Sequence, residues 1–178
     1  MSFANAALQI KKLKIINFRK FESYSIEFDR QLTVLVGDNG TGKSTLIDAT
    51  CIALGTLFQK IQNTEALGIV SDDSRGVVIK QGDMFDIQSQ YPVSVEASGI
   101  VLGEEVGWLR SLKSAKGRTT QADAGRMIDA GKRLQELVGK GNEVVLPVLA
   151  RYGTDRLWKQ TASKDKATPN RTRGYEGA

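Results

Sequence analysis

The chain has 178 residues, 40% of them apolar and 25% charged, which suits one globular domain with a buried core and excludes wholesale disorder. Net charge is +5, with one cysteine and no histidine. That excludes an intrachain disulfide, together with most zinc-site and histidine-dependent hydrolase chemistry.

Charge gathers at the two ends. Residues 1–20 hold Lys11, Lys12, Lys14, Arg19 and Lys20 with no acid, and residues 151–178 hold seven basic groups against three acids. Such ends either attract nucleic-acid phosphates or form a solvated surface and tail. The N-terminus lacks a signal peptide's apolar run and no stretch reaches membrane-spanning length, so the expectation is a cytoplasmic protein without a membrane partner.

In chain order, Leu8–Ile15 alternates apolar and polar as a half-buried strand does, slipping once at Lys11-Lys12 as a bulge would. "SYSIEF" and "LTVLVG" continue as strands within residues 8–37, the second a nearly continuous apolar run suited to a buried parallel strand. Apolar residues at helical spacing from Leu46 to Ile61 predict a helix over 43–61, with Cys51 as a small core residue. Residues 62–90 are polar and mixed, with "SDDSRG" as a surface turn and "VVI" as a short strand.

Residues 91–113 read as an antiparallel hairpin turning at Gly103-Glu104-Glu105. A helix over 120–138 follows, capped by Thr119 or Thr120 and stopped by Gly139 or Gly141, its Met127, Ile128, Leu134, Leu137, Val138 stripe being core. "NEVVLPVLARY" then predicts a strand over 143–151. A lobe over 1–158 is thus followed at 159–178 by a basic tail or a truncated continuation.

The chemistry is concentrated in Gly37-Asp38-Asn39-Gly40-Thr41-Gly42-Lys43-Ser44, which matches G-x-x-x-x-G-K-S/T at every fixed position. Glycines let the loop turn tightly so that its N–H groups converge on phosphates, and the following helix offers its positive N-terminus. Asn39, Gly40, Thr41 and Gly42 supply the cradle, Lys43 reaches the β- and γ-phosphates, and Thr45 is placed for the α-phosphate. Ser44 offers a hydroxyl to Mg²⁺, a hard ion that favours oxygen ligands. The flanking strand and helix patterns make a bare glycine turn a poor alternative. No N-K-x-D motif of a GTPase is present, and the arginine-rich lid of a small-molecule kinase has only weak candidates.

Asn17-Phe18-Arg19-Lys20-Phe21, at the end of a strand and before a hairpin that returns to the phosphate loop, resembles the N-F-R-x-F motif of ABC-type ATPase heads in SMC, RecF and OLD-like proteins. The resemblance implies an α/β P-loop NTPase fold, the N-terminal part of such a head, with a mixed sheet and an antiparallel β subdomain. It implies ATP and Mg²⁺ as cofactors, a homodimer formed through the heads, and Arg19 beside the nucleotide, where a solvated or structural arginine is the alternative.

"GRTT" and "LPVLARYGTDRLW" look like a narrower group, the bacterial AAA-family proteins described as predicted ATP-binding proteins involved in virulence and related to PtuA-type anti-phage ATPases. That likeness implies roles in defence, with a nuclease or nucleic acid as partner. The group pattern is closer to Y-Y-G-T-G-R-L-W, from which Arg151 and Asp155 depart. Tyr152 and Arg156 are candidates for a switch loop that senses the γ-phosphate, the alternative being a core aromatic and a surface charge.

Hydrolysis by such heads also needs an apolar strand ending in Asp-Glu and an LSGG-like helix N-terminus, and neither pattern occurs here. The expectation is therefore an ATP-binding N-terminal portion that hydrolyses poorly by itself. The alternatives are a nucleotide-dependent interaction module without turnover, or a small-molecule kinase.

Overall fold

The computed structural model describes residues 8–153, apart from 63, 65 and 83. Strand β1 (Leu8–Phe18) pairs antiparallel with β2 (Phe21–Glu27) on one side and with β5 (Val93–Val101) on the other. β6 (Glu104–Leu112) pairs with β5, completing a four-stranded sheet in the order β2-β1-β5-β6. The alternation in β1 and β5 places Leu13, Ile15, Val93, Val95 and Ala97 in the core. The register slips between Ile10 and Lys12, as the doubled lysine predicted, and the bulge residue Lys11 pairs with Glu105 of β6.

The hairpin of β5 and β6 turns at Leu102-Gly103 rather than at Gly103-Glu104-Glu105, because Glu104 already pairs with Val101. Between the two halves of the sheet's sequence lies a separate hairpin, β3 (Arg75–Gln81) with β4 (Met84–Gln90). β3 extends the short "VVI" prediction in both directions. β4 carries no buried face, which is why its composition did not announce a strand.

Helix α1 (Lys43–Gly55) lies against the sheet and tightens into a 3-10 turn over Thr56–Phe58, so the helix predicted to residue 61 ends earlier as regular α. Its last turn is fastened by Trp108 of β6, whose Nε1 donates to Ala53 O at 2.9 Å. Helix α2 (Gly125–Gly139) buries Met127, Ile128 and Leu134. It approaches the 3-10 turn so closely that a Cβ on Gly131 would lie 1.9 Å from Leu57 O, a space only glycine leaves.

Thr119 and Thr120 do not cap α2, which starts after a 3-10 turn with Ala124 as its cap. They staple loops instead. Thr119 Oγ1 accepts from Ile69 N and donates to Ile69 O, while Thr120 N donates to Ser111 O and Thr120 Oγ1 accepts from Ser111 N. Arg110, only 2% exposed, completes the staple by donating from Nε to Thr120 O and from Nη1 to Thr56 Oγ1. No carboxylate pairs with it among the described residues, and burial pushes its guanidinium below the ordinary arginine range.

Two predicted strands are not strands. Residues 32–36 and 143–151 have no ladder partner among the described residues. Leu35, Val144, Leu146 and Leu149 pack against the core, whereas Leu32, Val34, Val36, Val145 and Val148 face outward, Val36 at 91% and Val148 at 84% exposure. Every strand pairing described is antiparallel, so the parallel part of the expected mixed sheet is not formed by these residues. No helix is long and apolar enough to cross a membrane among the described residues.

Candidate nucleotide site

The apolar segment 32–36 runs into the glycine-rich loop, and the loop runs into α1 at Lys43. Gly42 caps the helix at φ 105°, a conformation that L-residues with side chains rarely adopt, and no side chain caps the first turn. The N–H groups at this end are therefore not met by a side-chain cap, and their partial positive charge faces outward from the helix start. Leu46 N donating to Gly42 O at 3.0 Å begins the helical ladder.

Lys43 Nζ donates to Gly37 O at 2.6 Å and to Asp38 O at 2.7 Å, so its ammonium sits across the loop that it would share with phosphates. Thr41 Oγ1 donates to Asp38 O at 2.8 Å, tightening the turn. Ser44 is exposed and its hydroxyl makes no hydrogen bond among the described residues, as an oxygen ligand for Mg²⁺ requires. Thr45 is largely buried in the first turn. Asn39 and Gly40 form the exposed crest of the loop.

The turn between β1 and β2 packs directly beneath this loop. A Cβ on Gly42 would lie 2.5 Å from the Phe21 ring, and Lys20 Nζ donates to Gly40 O at 2.5 Å. Sequence reasoning singled out Arg19 here and passed over Lys20. The structure turns Arg19 the other way: Nη1 donates to Asp48 Oδ2 at 2.6 Å and Nε to Asp73 Oδ1 at 2.9 Å. Burial alone would lower the Arg19 pKa, but the bonds to Asp48 and Asp73 outweigh it and raise it.

Asp73 belongs to the "SDDSRG" turn, yet it is buried, contrary to a plain surface turn, because it receives this guanidinium. Asp48, on α1 one helical turn beyond Ser44, also pairs through Oδ1 with Arg151. The network thereby joins the β1–β2 turn, α1, the turn at 71–73 and the segment at 151. Tyr152 is exposed among the described residues, and Arg156 lies outside them.

Against this geometry, the model of the AAA domain family matches residues 12–177. The chain belongs to the AAA domain family. This AAA domain is an α/β P-loop NTPase similar to proteins of DNA replication, repair and chromosome partition. It is 51% identical over 43 residues to the DNA replication and repair protein RecF of Leptospira interrogans, covering 24% of this chain and 12% of RecF.

The chromosome partition protein Smc of Methanocaldococcus jannaschii is 28% identical over 107 residues, covering 60% of this chain and 9% of Smc. The DNA double-strand break repair Rad50 ATPase of Pyrococcus abyssi is 31% identical over 81 residues, covering 46% of this chain and 9% of Rad50. The chain thus matches about a tenth of the length of these curated relatives. A solved structure described under ATP-driven dimerization and DNA stimulated activation of SMC ATPases aligns with TM-score 0.47 and 22% identity, over 79% of this chain and 86% of that one.

Proposed function

We propose that this AAA domain binds ATP with Mg²⁺ as the N-terminal lobe of an SMC/RecF-like ATPase head, with Asn39 to Thr45 as the phosphate cradle. The observation that carries the reading is the Lys43 ammonium drawn across Gly37 O and Asp38 O at the open N-terminus of α1. In this reading the loop amides and Lys43 hold and orient the triphosphate, and the Ser44 hydroxyl holds the ion. Bound Mg²⁺ would neutralise phosphate charge.

Turnover in this reading needs further parts, an acidic strand end and an LSGG-like helix N-terminus. The outward apolar faces of 32–36 and 143–149 support that requirement, since strands seated beside them would complete a sheet under the loop. Closure of two such lobes around ATP in the cytoplasm rests on the resemblance of Asn17-Phe18-Arg19-Lys20-Phe21 to ABC-type heads, and a place near nucleic acid is supported by the likeness to proteins of chromosome partition and DNA repair. An anti-phage role with a nuclease partner, and Tyr152 with Arg156 as a switch loop, rest on the "GRTT" and "LPVLARYGTDRLW" motifs.

The test is a titration of ATP with Mg²⁺ against the wild type and Lys43→Ala, with phosphate release measured in parallel. Binding lost by at least about tenfold in the variant, with little release by residues 1–178 alone, is the expected result. Equal binding by both proteins would sink the assignment. Binding without release even in the intact protein would favour an interaction module that uses nucleotide as a structural ligand.

A further inference from the structure

We propose that Lys20 is a second lysine of the phosphate site, a positioning residue that holds the crest of the loop in its anion-binding form and adds positive charge at its edge. The inference rests on the nucleotide reading given above and extends it to a residue outside the loop motif.

Three observations converge on Lys20. Its Nζ donates to Gly40 O at 2.5 Å, while Lys43 grips Gly37 O and Asp38 O from within the loop. Two ammoniums therefore hold three carbonyls of one short loop. A trans peptide is rigid, so pulling the Gly40 carbonyl toward Lys20 sets the direction of the Thr41 N–H on its opposite edge. That amide makes only a long bond, 3.3 Å to Asp38 O. Successive amides oriented in this way make an anion-binding concavity.

The second observation is strain. Asn17, near the end of β1, and Arg19, the first residue of the turn that carries Lys20, both sit at φ 50°, where residues with side chains are uncommon. Such conformations persist where the surroundings over-determine them. Here Asn17 Nδ2 donates to Pro92 O at 3.1 Å, Arg19 N donates to Asp73 O at 2.6 Å, and the Arg19 guanidinium is clamped by Asp48 and Asp73. These anchors take Arg19 away from the loop and leave Lys20 as the cation of the turn that reaches it.

The third is the position of Phe21. Its ring fills the space beside Gly42, so the turn cannot shift without disturbing the helix cap. Lys20 also lies 5.7 Å from the centre of that ring, which restricts where the ammonium travels.

The experiment measures ATP, ADP and AMP affinity in the intact protein for wild type, Lys20→Met, Lys20→Arg and Lys43→Ala, over a range of salt concentrations. Lys20→Met keeps the apolar stem and should weaken ATP binding about tenfold, with a smaller loss for AMP and a shallower salt dependence. Lys20→Arg should stay within about threefold of wild type, because a guanidinium also donates to a carbonyl and keeps the charge. ATP affinity of Lys20→Met within about twofold of wild type, while Lys43→Ala has lost binding, overturns the Lys20 role alone. So does a lowered melting temperature with affinity intact, which would assign Lys20 to folding. Unchanged binding by Lys43→Ala overturns the nucleotide reading and this inference with it.

Discussion

Asp48 Oδ2 accepts from Arg19 Nη1 at 2.6 Å while its other oxygen pairs with Arg151, so one carboxylate on α1 gathers two arginines separated by most of the chain. Neither partner comes from the loop motif. The carboxylate is largely buried and the arginines are partly exposed, so removing Asp48 breaks two pairings, whereas removing either arginine leaves a buried charge with one partner fewer.

Asp48→Ala is expected to lower stability by about 1–3 kcal/mol in urea unfolding, since Arg151 loses this carboxylate and Arg19 keeps only Asp73. Combined with Arg151→Ala, the losses should fall short of additive, since both variants remove one bond. A cost below about 0.5 kcal/mol for Asp48→Ala would show that solvent replaces the network freely.

Burial holds the Cys51 thiol above its ordinary range, with Arg151 opposing and Asp48 assisting more weakly. A folded pKa above the unfolded one favours the protonated folded form. Its contribution to stability is whole below the unfolded thiol pKa and is lost as pH rises through the folded one. Alkylation by iodoacetamide near pH 8 should then be several-fold slower than for the chain unfolded in urea. Equal rates in the two states would refute a protected thiol, and Cys51→Ala should flatten the alkaline loss of stability.

The outward faces of 32–36 and 143–149 carry a third expectation. Val34→Asp in the intact protein should cost more than about 2 kcal/mol if strands cover this face, because an unpaired carboxylate would be buried. A change within about 0.5 kcal/mol would mean that Val34 meets water there as it does among residues 8–153.

Legibility in the sequence followed the range of the cause. The phosphate loop could be read because each position has a local reason for its residue type, and β5 with β6 because a period of two needs no partner to be seen. "LTVLVG" read as a strand because its composition is that of one, yet a strand also requires a neighbour to complete its ladder, and composition carries no information about that. "MFDIQSQ" was missed for the converse reason: β4 pairs with β3 through its backbone while its side chains stay exposed.

Thr119 and Thr120 look like helix caps in sequence, but their hydroxyls serve Ile69 and Ser111, partners that only the fold brings near. Lys20 was invisible for the same reason. Its reach to Gly40 depends on left-handed backbone at Asn17, a residue type that tolerates it, and at Arg19, where no residue preference signals it.

The bond from Trp108 to Ala53 completes a set of fastenings along α1. The helix, about 20 Å long, is pinned near its start by Phe21, at mid-length by the Arg19–Asp48 pair, and at its end by the indole. A rod held at three points cannot slide along its axis. The glycine loop at the helix start and β6 at its end are thus tied to one rigid body, with the buried Trp108 as its far anchor.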